Sequence, residues 1–302
     1  MVSFEEFQRK RNAEYYSKTG VDFVKDFKTF SSDRFFIEAL AKDFYSKVRK
    51  KEVINIYEFG VGTGTLFVSF MQSLRKLDAE FPETIIYHLC DFSQKLVDNA
   101  VKRGDSFGFN VDGIVYEGIP KFVRNADYII ANEFYDDLPA KILSNYAGEV
   151  KELYLEDGVD VLKEFRNGDI EKYIKKMPEG YLIPVNITSR EHLEKCIEGL
   201  NSGGYIDVFD YGFASVSDIR EMPPEMWNNS IHREFGSQIT TDVNFDFISK
   251  DVNAEIEKQK EFVEKVLKKK FEEDLDSMRY RACKIKKELK EETDFYHMRV
   301  KK

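Results

Sequence analysis

Residues 53–65, VINIYEFGVGTGT, decide the fold of this chain. The first seven form an apolar, β-prone run of the kind found in buried parallel strands. They lead directly into Gly60-x-Gly62-x-Gly64 and then into a helical stretch. Glycines lack the Cβ that would block a ligand, and the N–H groups at the start of a helix are free donors. This strand, turn and helix therefore predict a ligand held against the backbone.

Two carboxylates near the glycine turn narrow the choice of ligand. The dinucleotide fingerprint is GxGxxG, whereas the spacing here is GxGxG. Glu58 would repel a pyrophosphate but could accept a hydrogen bond from an amino-acid ammonium, directly or through water. Asp91, at the end of the next predicted strand, could take both ribose hydroxyls. A ligand with a ribose and a zwitterionic amino-acid end is S-adenosylmethionine; a nicotinamide or flavin nucleotide and a purely structural turn remain as alternatives.

Strand and helix patterns alternate around the glycine turn. Further strands are predicted at 84–90, 113–116, 126–131 and 204–210. Helices are predicted at 33–47, 66–77, 93–103 and 189–200. Alternation of this kind indicates a doubly wound, mostly parallel α/β sheet. A β-hairpin formed by 141–143 and 149–155 reads as an insertion.

The two ends of the chain are predicted as additions to this sheet. Ser31 or Ser32 could cap the helix at 33–47. The charged stretches 253–270 and 272–292 are predicted as solvated helix, because acidic and basic residues are interleaved. Residues 295–300 are predicted as the last strand. We expect one domain with helical additions.

The composition excludes several classes of function. Lys and Arg number 46 against 55 Asp and Glu, and the net charge of −9 argues against a nucleic-acid binder. No window approaches the roughly 18 consecutive apolar residues of a membrane helix, and the first ten residues are unlike a signal peptide, so a cytoplasmic protein is expected. Three cysteines and four histidines lack metal-ligand or disulfide spacing, so no metal site is expected.

An acidic loop, NEFYDDLP at 132–139, follows the strand predicted at 126–131. In an open α/β sheet, ligands bind at the carboxyl ends of the strands. Glu133, Asp136 and Asp137 would repel one another unless donors neutralise them, and the planar fork of a guanidinium matches a carboxylate. A carboxylate on one side of a guanidinium would leave the other nitrogen better able to attack a sulfonium methyl group. Alternatively, Asp136 or Asp137 caps a following helix.

Taken in order, these motifs resemble the MidA-like methyltransferases, a family that includes an arginine methyltransferase for mitochondrial complex I assembly. The resemblance is carried by EFGVGTGTL (58–66), YHLCDFS (87–93), NEFYDDLP (132–139), DYG (210–212), FGSQITTDVNF (235–245) and QKEF (259–262), with weaker echoes at 15–16 and 26–29. The glycine motif is common to all class I methyltransferases. The NEFxDxLP, DYG and TxxVxF blocks make the match specific.

The resemblance implies a Rossmann-like class I methyltransferase. Its sheet would be seven-stranded and mostly parallel, with an antiparallel last strand and helices on both faces. An N-terminal helical cap would span 1–50, and a methyltransferase domain 51–302, with insertions at about 139–186 and 212–250. S-adenosyl-L-methionine is the implied cofactor, and a protein with an accessible arginine the implied partner, without nucleic acid or membrane insertion. The alternatives are a small-molecule N- or O-methyltransferase and a cofactor-binding assembly factor without turnover.

The resemblance also assigns residues to three roles. The implied cofactor-binding residues are Glu58, Gly60, Val61, Gly62, Gly64, Asp91, Phe92, Glu117, Gly118 and Ile119. The implied catalytic residues are Glu133, Asn132 and Asp136. The implied substrate-binding residues are Thr29, Asp137, Asp210 and Tyr211.

Four departures from the family pattern stand out. Residues 30–32 are Phe-Ser-Ser where the family usually has Ser-Pro-Glu. Asp137 replaces an Ala, Asp91 replaces a common Glu, and Gln238 replaces an Asp. The first and last of these lie in the parts of the fold that cover the acceptor.

Overall fold

The computed structural model describes residues 1–17, 33–270 and 294–302. The strands are β1 (Val2–Ser3), β2 (Ile54–Phe59), β3 (Ile85–Asp91), β4 (Val111–Val115), β5 (Ala126–Asn132), β6 (Lys141–Tyr146), β7 (Glu149–Glu156), β8 (Val159–Glu164), β9 (Leu182–Val185), β10 (Leu200–Phe213), β11 (His232–Phe235), β12 (Gln238–Thr241), β13 (Val243–Asn244), β14 (Ala254–Lys258) and β15 (Asp294–Lys301). The helices are α1 (Phe4–Ser17), α2 (Arg34–Val48), α3 (Thr65–Leu77), α4 (Gln94–Ser106), α5 (Gly168–Ile174), α6 (Ile187–Gly199), α7 (Val216–Arg220), α8 (Pro224–Ser230), α9 (Phe245–Ile248) and α10 (Gln259–Leu267).

The large sheet has the strand order β14-β15-β10-β5-β2-β3-β4, and β13 also pairs with β10. The pairs from β10 through β5, β2 and β3 to β4 are parallel, whereas β15 is antiparallel to both β10 and β14. Among the described residues the sheet is therefore mixed. It has eight strands rather than the predicted seven when the two-residue β13 is counted.

Side chains on β2 alternate between two apolar cores, one on each face of the sheet. Ile54 and Ile56 pack with α2, α3 and α10, and Phe59 packs on the opposite face with α6. Both faces are thus covered by helices, as a sheet of parallel strands requires. This arrangement leaves the carboxyl ends of β2, β3, β5 and β10 as the edge that can hold ligands.

The predicted insertion with the β-hairpin forms a separate small sheet. Its order is β1-β7-β6-β9, with β8 paired to β7, and β6 and β7 pair antiparallel as expected. Helix α1 contacts β6, β7 and β12, whereas α2 packs against α3 on the large sheet. The two helices of the predicted N-terminal helical cap therefore have different neighbours.

Two predicted boundaries are wrong. The cap of α2 is Asp33, whose carboxylate accepts a hydrogen bond from the Phe36 N–H at 2.7 Å; Ser31 and Ser32 lie outside the described residues. The stretch 253–270 begins with a strand, β14, because its apolar and charged residues alternate with period two and pair with β15. Only its second half is helical, and 272–292 lies outside the described residues. No described helix is long and apolar enough to cross a membrane.

Candidate active site

The glycine turn follows β2 and begins α3. Gly60 and Gly62 have φ of 73° and 49°, a backbone region that favours glycine. A Cβ on Gly60 would lie 2.8 Å from the ring of Phe134, so Gly60 lets the turn pack against the acidic loop. A Cβ on Gly62 would meet no described atom within 4 Å. Gly62 therefore faces open space, where a ligand could approach the backbone.

Asp91 lies beside this open turn, at the end of β3. Its carboxylate accepts hydrogen bonds from the N–H groups of Gly62 at 3.4 Å and Ser93 at 3.0 Å. Burial raises the pKa of Asp91 to about 6, although backbone donors oppose the shift. A carboxylate held in this way fits the recognition of ribose hydroxyls, which stays a prediction.

Glu58 is buried one residue before the end of β2. Its carboxylate accepts a hydrogen bond from the Tyr87 hydroxyl at 2.6 Å. Burial raises its pKa to about 8, and the charge of Asp91 contributes in the same direction. A nearby ammonium would favour the ionised form, as the predicted contact with the methionine end of the cofactor requires.

The other predicted cofactor residues surround the same turn. Val61 is buried within it, whereas the ring of Phe92 is 42% exposed. The loop 117–119 starts beside Asp91, because the Tyr116 N–H donates to the Asp91 carbonyl at 3.1 Å. An open glycine cradle with a buried carboxylate fits S-adenosyl-L-methionine.

The acidic loop is held from beneath by Asp210. One oxygen of this carboxylate accepts the N–H groups of Phe134, Tyr135 and Asp136 at 2.9–3.2 Å, and the other accepts that of Tyr211. Asp210 is completely buried. Four backbone donors saturate its oxygens, so Asp210 organises the loop; its predicted place in the substrate channel stays a prediction.

Asn132 and Glu133 stand at the carboxyl end of β5. Glu133 has φ of 49°, in the left-handed region, and its N–H donates to the Phe209 carbonyl at 2.8 Å. The Asn132 amide donates to the Glu133 carboxylate at 3.3 Å. A non-glycine residue in this region is strained, and such strain is concentrated at functional sites. The two predicted catalytic side chains are thus brought together.

Buried acceptor atoms lie in the same loop. The Oδ1 atoms of Asn132 and Asp136 have no hydrogen-bond partner among the described residues. Burial raises the pKa of Asp136 to about 6, while Tyr211 and Arg233 act in the opposite direction. Buried polar atoms in native proteins are nearly always hydrogen-bonded. These two atoms are therefore acceptors for N–H or O–H donors, which a ligand or an ordered water would supply.

Asp137 has partners within the chain. Its two oxygens accept hydrogen bonds from the Tyr16 hydroxyl and the Gln238 amide. The alternative that Asp136 or Asp137 caps a helix is wrong, because the loop continues into β6. Thr29, the remaining predicted substrate residue, lies outside the described residues.

Helix α1 supports the acidic loop with buried amides that sequence reasoning missed. Gln8 donates to the Asp136 carbonyl at 3.2 Å and accepts from the Ala140 N–H at 2.9 Å. Asn12 donates to the Asp137 carbonyl at 3.0 Å. No local pattern marks them, because their partners are more than 120 residues away.

Sequence reasoning also missed Arg233 on β11. Its guanidinium pairs with Asp242 at 2.8 Å and lies 4.4 Å from the centre of the Tyr211 ring. Tyr211 is buried, and its hydroxyl donates to Thr240. The site therefore already holds one guanidinium by an ion pair and an aromatic face. Among the described residues, no group of three or more His, Cys, Asp or Glu side chains could hold a metal ion.

Residues 39–262 match the family model Methyltransf_28, described as "Putative S-adenosyl-L-methionine-dependent methyltransferase". The chain belongs to this family. S-adenosyl-L-methionine is accordingly the cofactor of this methyltransferase. A search of curated proteins found no match.

Two solved structures from Burkholderia thailandensis share the fold of the methyltransferase. One, a COG1565 superfamily member bound to S-adenosyl-homocysteine, has 17% identity and a TM-score of 0.72, covering 100% of this chain and 88% of its own. The other, an uncharacterized protein of the same superfamily, has 18% identity and a TM-score of 0.71, covering 100% and 87%. These matches support a class I methyltransferase fold.

Proposed function

We propose that the methyltransferase methylates an arginine in a protein substrate, as the resemblance to the MidA-like subtype implies. The observation that carries the proposal is the pair of buried, unpartnered acceptors on Asn132 and Asp136, beside the strained Glu133. A guanidinium has five N–H donors and no acceptor, so it suits acceptors on several sides. Arg233, which pairs with Asp242 and lies over the ring of Tyr211, is a guanidinium already held beside this loop, and this supports the proposal.

The chain's own residues would bind and orient the acceptor. When bound, S-adenosyl-L-methionine supplies an activated methyl group. Glu133 would accept N–H donors from one side of the guanidinium, while Asn132 would fix its plane. Asp136, with its pKa near 6, could take the proton that the attacking nitrogen must lose. Holding the acceptor in one orientation would supply much of the rate enhancement.

Incubation with isotope-labelled cofactor and a cell lysate, followed by mass spectrometry of peptides, tests the proposal. The expected result is label on arginine side chains. Label confined to a small metabolite would contradict the proposal and favour a small-molecule N- or O-methyltransferase.

Glu133→Gln separates catalysis from cofactor binding. It keeps the shape of the side chain and removes the charge that holds a cation. We expect at least a 100-fold slower transfer, as loss of one positioned catalytic group commonly causes, and an unchanged affinity for S-adenosylhomocysteine. If neither the original chain nor Glu133→Gln transfers label to the lysate, although both bind the cofactor, the result would favour an assembly factor without turnover.

A further inference from the structure

Tyr16, in the last turn of α1, touches both halves of the site. Its ring meets that of Phe92 edge-to-face, with centroids 4.7 Å apart. Its hydroxyl donates to the Asp137 carboxylate and accepts from the Gln238 amide at 2.8 Å. Phe92 follows Asp91 at the cofactor edge, and Asp137 belongs to the acidic loop. One side chain therefore joins two regions that are 45 residues apart in sequence (137 − 92 = 45).

Two polar side chains hold the hydroxyl of Tyr16. Asp137 accepts its hydrogen bond, and the amide of Gln238 donates one to it. In the structure these two side chains contact each other directly. Tyr16, Asp137 and Gln238 therefore form one hydrogen-bonded cluster.

The charges around Tyr16 agree with this arrangement. Burial, followed by the charge of Asp137, raises the pKa of Tyr16 well above its ordinary value, so its hydroxyl stays protonated and donates. Gln8 and Asn12 fix α1 to the same loop about two turns and one turn earlier, respectively. The position of the Tyr16 ring is therefore fixed on one side by the packing of α1 and on the other by the hydrogen bonds of its hydroxyl.

We propose that Tyr16 is a positioning residue for the cofactor, which Asp137 and Gln238 hold against Phe92. Asp137 then serves to fix α1 rather than to bind the substrate. The inference rests on the placement of the cofactor at the glycine turn and Asp91. It does not depend on the identity of the methyl acceptor.

Tyr16→Phe tests the proposal, with Tyr45→Phe as a matched control. Tyr45 also donates its hydroxyl to an aspartate, Asp78, at 3.0 Å, and meets Phe81 edge-to-face at 4.8 Å. Calorimetry with S-adenosylhomocysteine on the full chain gives the affinity, and a thermal melt gives the stability. Loss of one hydrogen bond should weaken binding about 5-fold in Tyr16→Phe and leave it unchanged in Tyr45→Phe. Equal affinities for the two variants would overturn the proposal.

A rescue experiment separates positioning from general stability. Asp137→Ala should weaken binding of S-adenosylhomocysteine about as much as Tyr16→Phe does. Adding Gln238→Asp places a carboxylate at the other partner of the Tyr16 hydroxyl, so the double variant should bind within about twofold of the original chain. A double variant as weak as Asp137→Ala alone would contradict the role given to Tyr16.

A different result is expected if the cofactor does not bind at the glycine turn and Asp91. In that case, Asp91→Ala would bind S-adenosylhomocysteine as tightly as the original chain. If Asp91→Ala loses binding and Tyr16→Phe does not, the role proposed for Tyr16 is overturned, whereas the placement of the cofactor stands. If Tyr16→Phe fails to fold, Phe92→Leu instead removes the ring contact with Tyr16, at a partly exposed position. It should weaken binding to a similar extent, and unchanged affinity would overturn the proposal.

Discussion

The cofactor half of the site and the acceptor half are assembled differently. In the cofactor half, the contact between Gly62 and Asp91 joins two successive strand–helix units, 29 residues apart. In the acceptor half, the acidic loop is fixed by Asp210 and Gln8, which are 74–76 and 128 residues from their partners. The first half thus follows from local geometry, whereas the second exists only when distant segments have packed. Mutations in the cofactor half should therefore lower cofactor affinity, whereas mutations in the acceptor half should mainly lower stability and methyl transfer.

The largest effect is expected from Gly62→Val in the cofactor half. The valine would occupy a position with φ of 49° and fill the open space at the turn. Affinity for S-adenosylhomocysteine should fall at least about 1,000-fold, below detection by calorimetry, and methyl transfer should be lost with it.

Gly108→Val is a matched control, because Gly108 also has a positive φ and open space around it but lies after α4. It should lower the melting temperature without affecting the affinity. Equal losses of affinity in the two variants would mean that Gly62 acts through folding rather than through the cofactor.

The second effect is expected from Asp210→Ala in the acceptor half. Removing the carboxylate leaves four buried N–H groups without an acceptor, which should cost about 3 kcal/mol of unfolding free energy. Denaturant unfolding measures this loss. Methyl transfer should be abolished, whereas affinity for S-adenosylhomocysteine should fall by no more than about fivefold, the loss expected where the contact of Asp137 with Tyr16 is disturbed, because the glycine turn is intact.

Asp218→Ala provides the comparison, since Asp218 also accepts backbone N–H groups, those of Ala214 and Ser215, outside the acidic loop. It should destabilise the chain and leave transfer measurable. Retained transfer in Asp210→Ala would show that the loop does not need its buried carboxylate.

The same contrast explains what could be predicted from the sequence. The strand, turn and helix at 54–77 were predicted because hydrophobic periodicity and glycine spacing are local signals. The side chains at Asn132 and Glu133 were also placed together, since they are neighbours at a strand end. Arg233 and Gln8 were missed, because their roles arise from tertiary contacts with no spacing in the sequence. Asp210 was identified, but its burial beneath the loop could not be predicted from the DYG block.

A third, smaller effect is expected from Asp91→Ala. Loss of a carboxylate that binds ribose hydroxyls should weaken cofactor binding by about 2 kcal/mol. Its own backbone donors, including the Gly62 N–H, lose their acceptor at the same time. Calorimetry with S-adenosylhomocysteine measures the change. Asp112→Ala, which removes an exposed carboxylate paired with His88, should leave the affinity unchanged; a similar loss there would indicate a general effect of negative charge.

The smallest effect is a pH dependence of stability that originates at Glu58. Because burial raises its folded-state pKa to about 8, above the ordinary value of 4.5, the folded chain binds more protons than the unfolded chain between these values. The free energy of unfolding should therefore fall as the pH rises from about 4.5 to 8. Glu58→Gln cannot ionise, so between pH 7 and 8 its stability should fall by about 1 kcal/mol less than that of the original chain.

S-adenosylhomocysteine carries the same amino-acid ammonium as the cofactor, and this cation should hold Glu58 ionised. Saturating ligand should then reduce the difference between the original chain and Glu58→Gln in denaturant unfolding across this pH range. If the difference is the same with and without ligand, Glu58 titrates independently of the bound ammonium. The carboxylate would then belong to the support of the turn, through its hydrogen bond with Tyr87, rather than to the contacts of the cofactor.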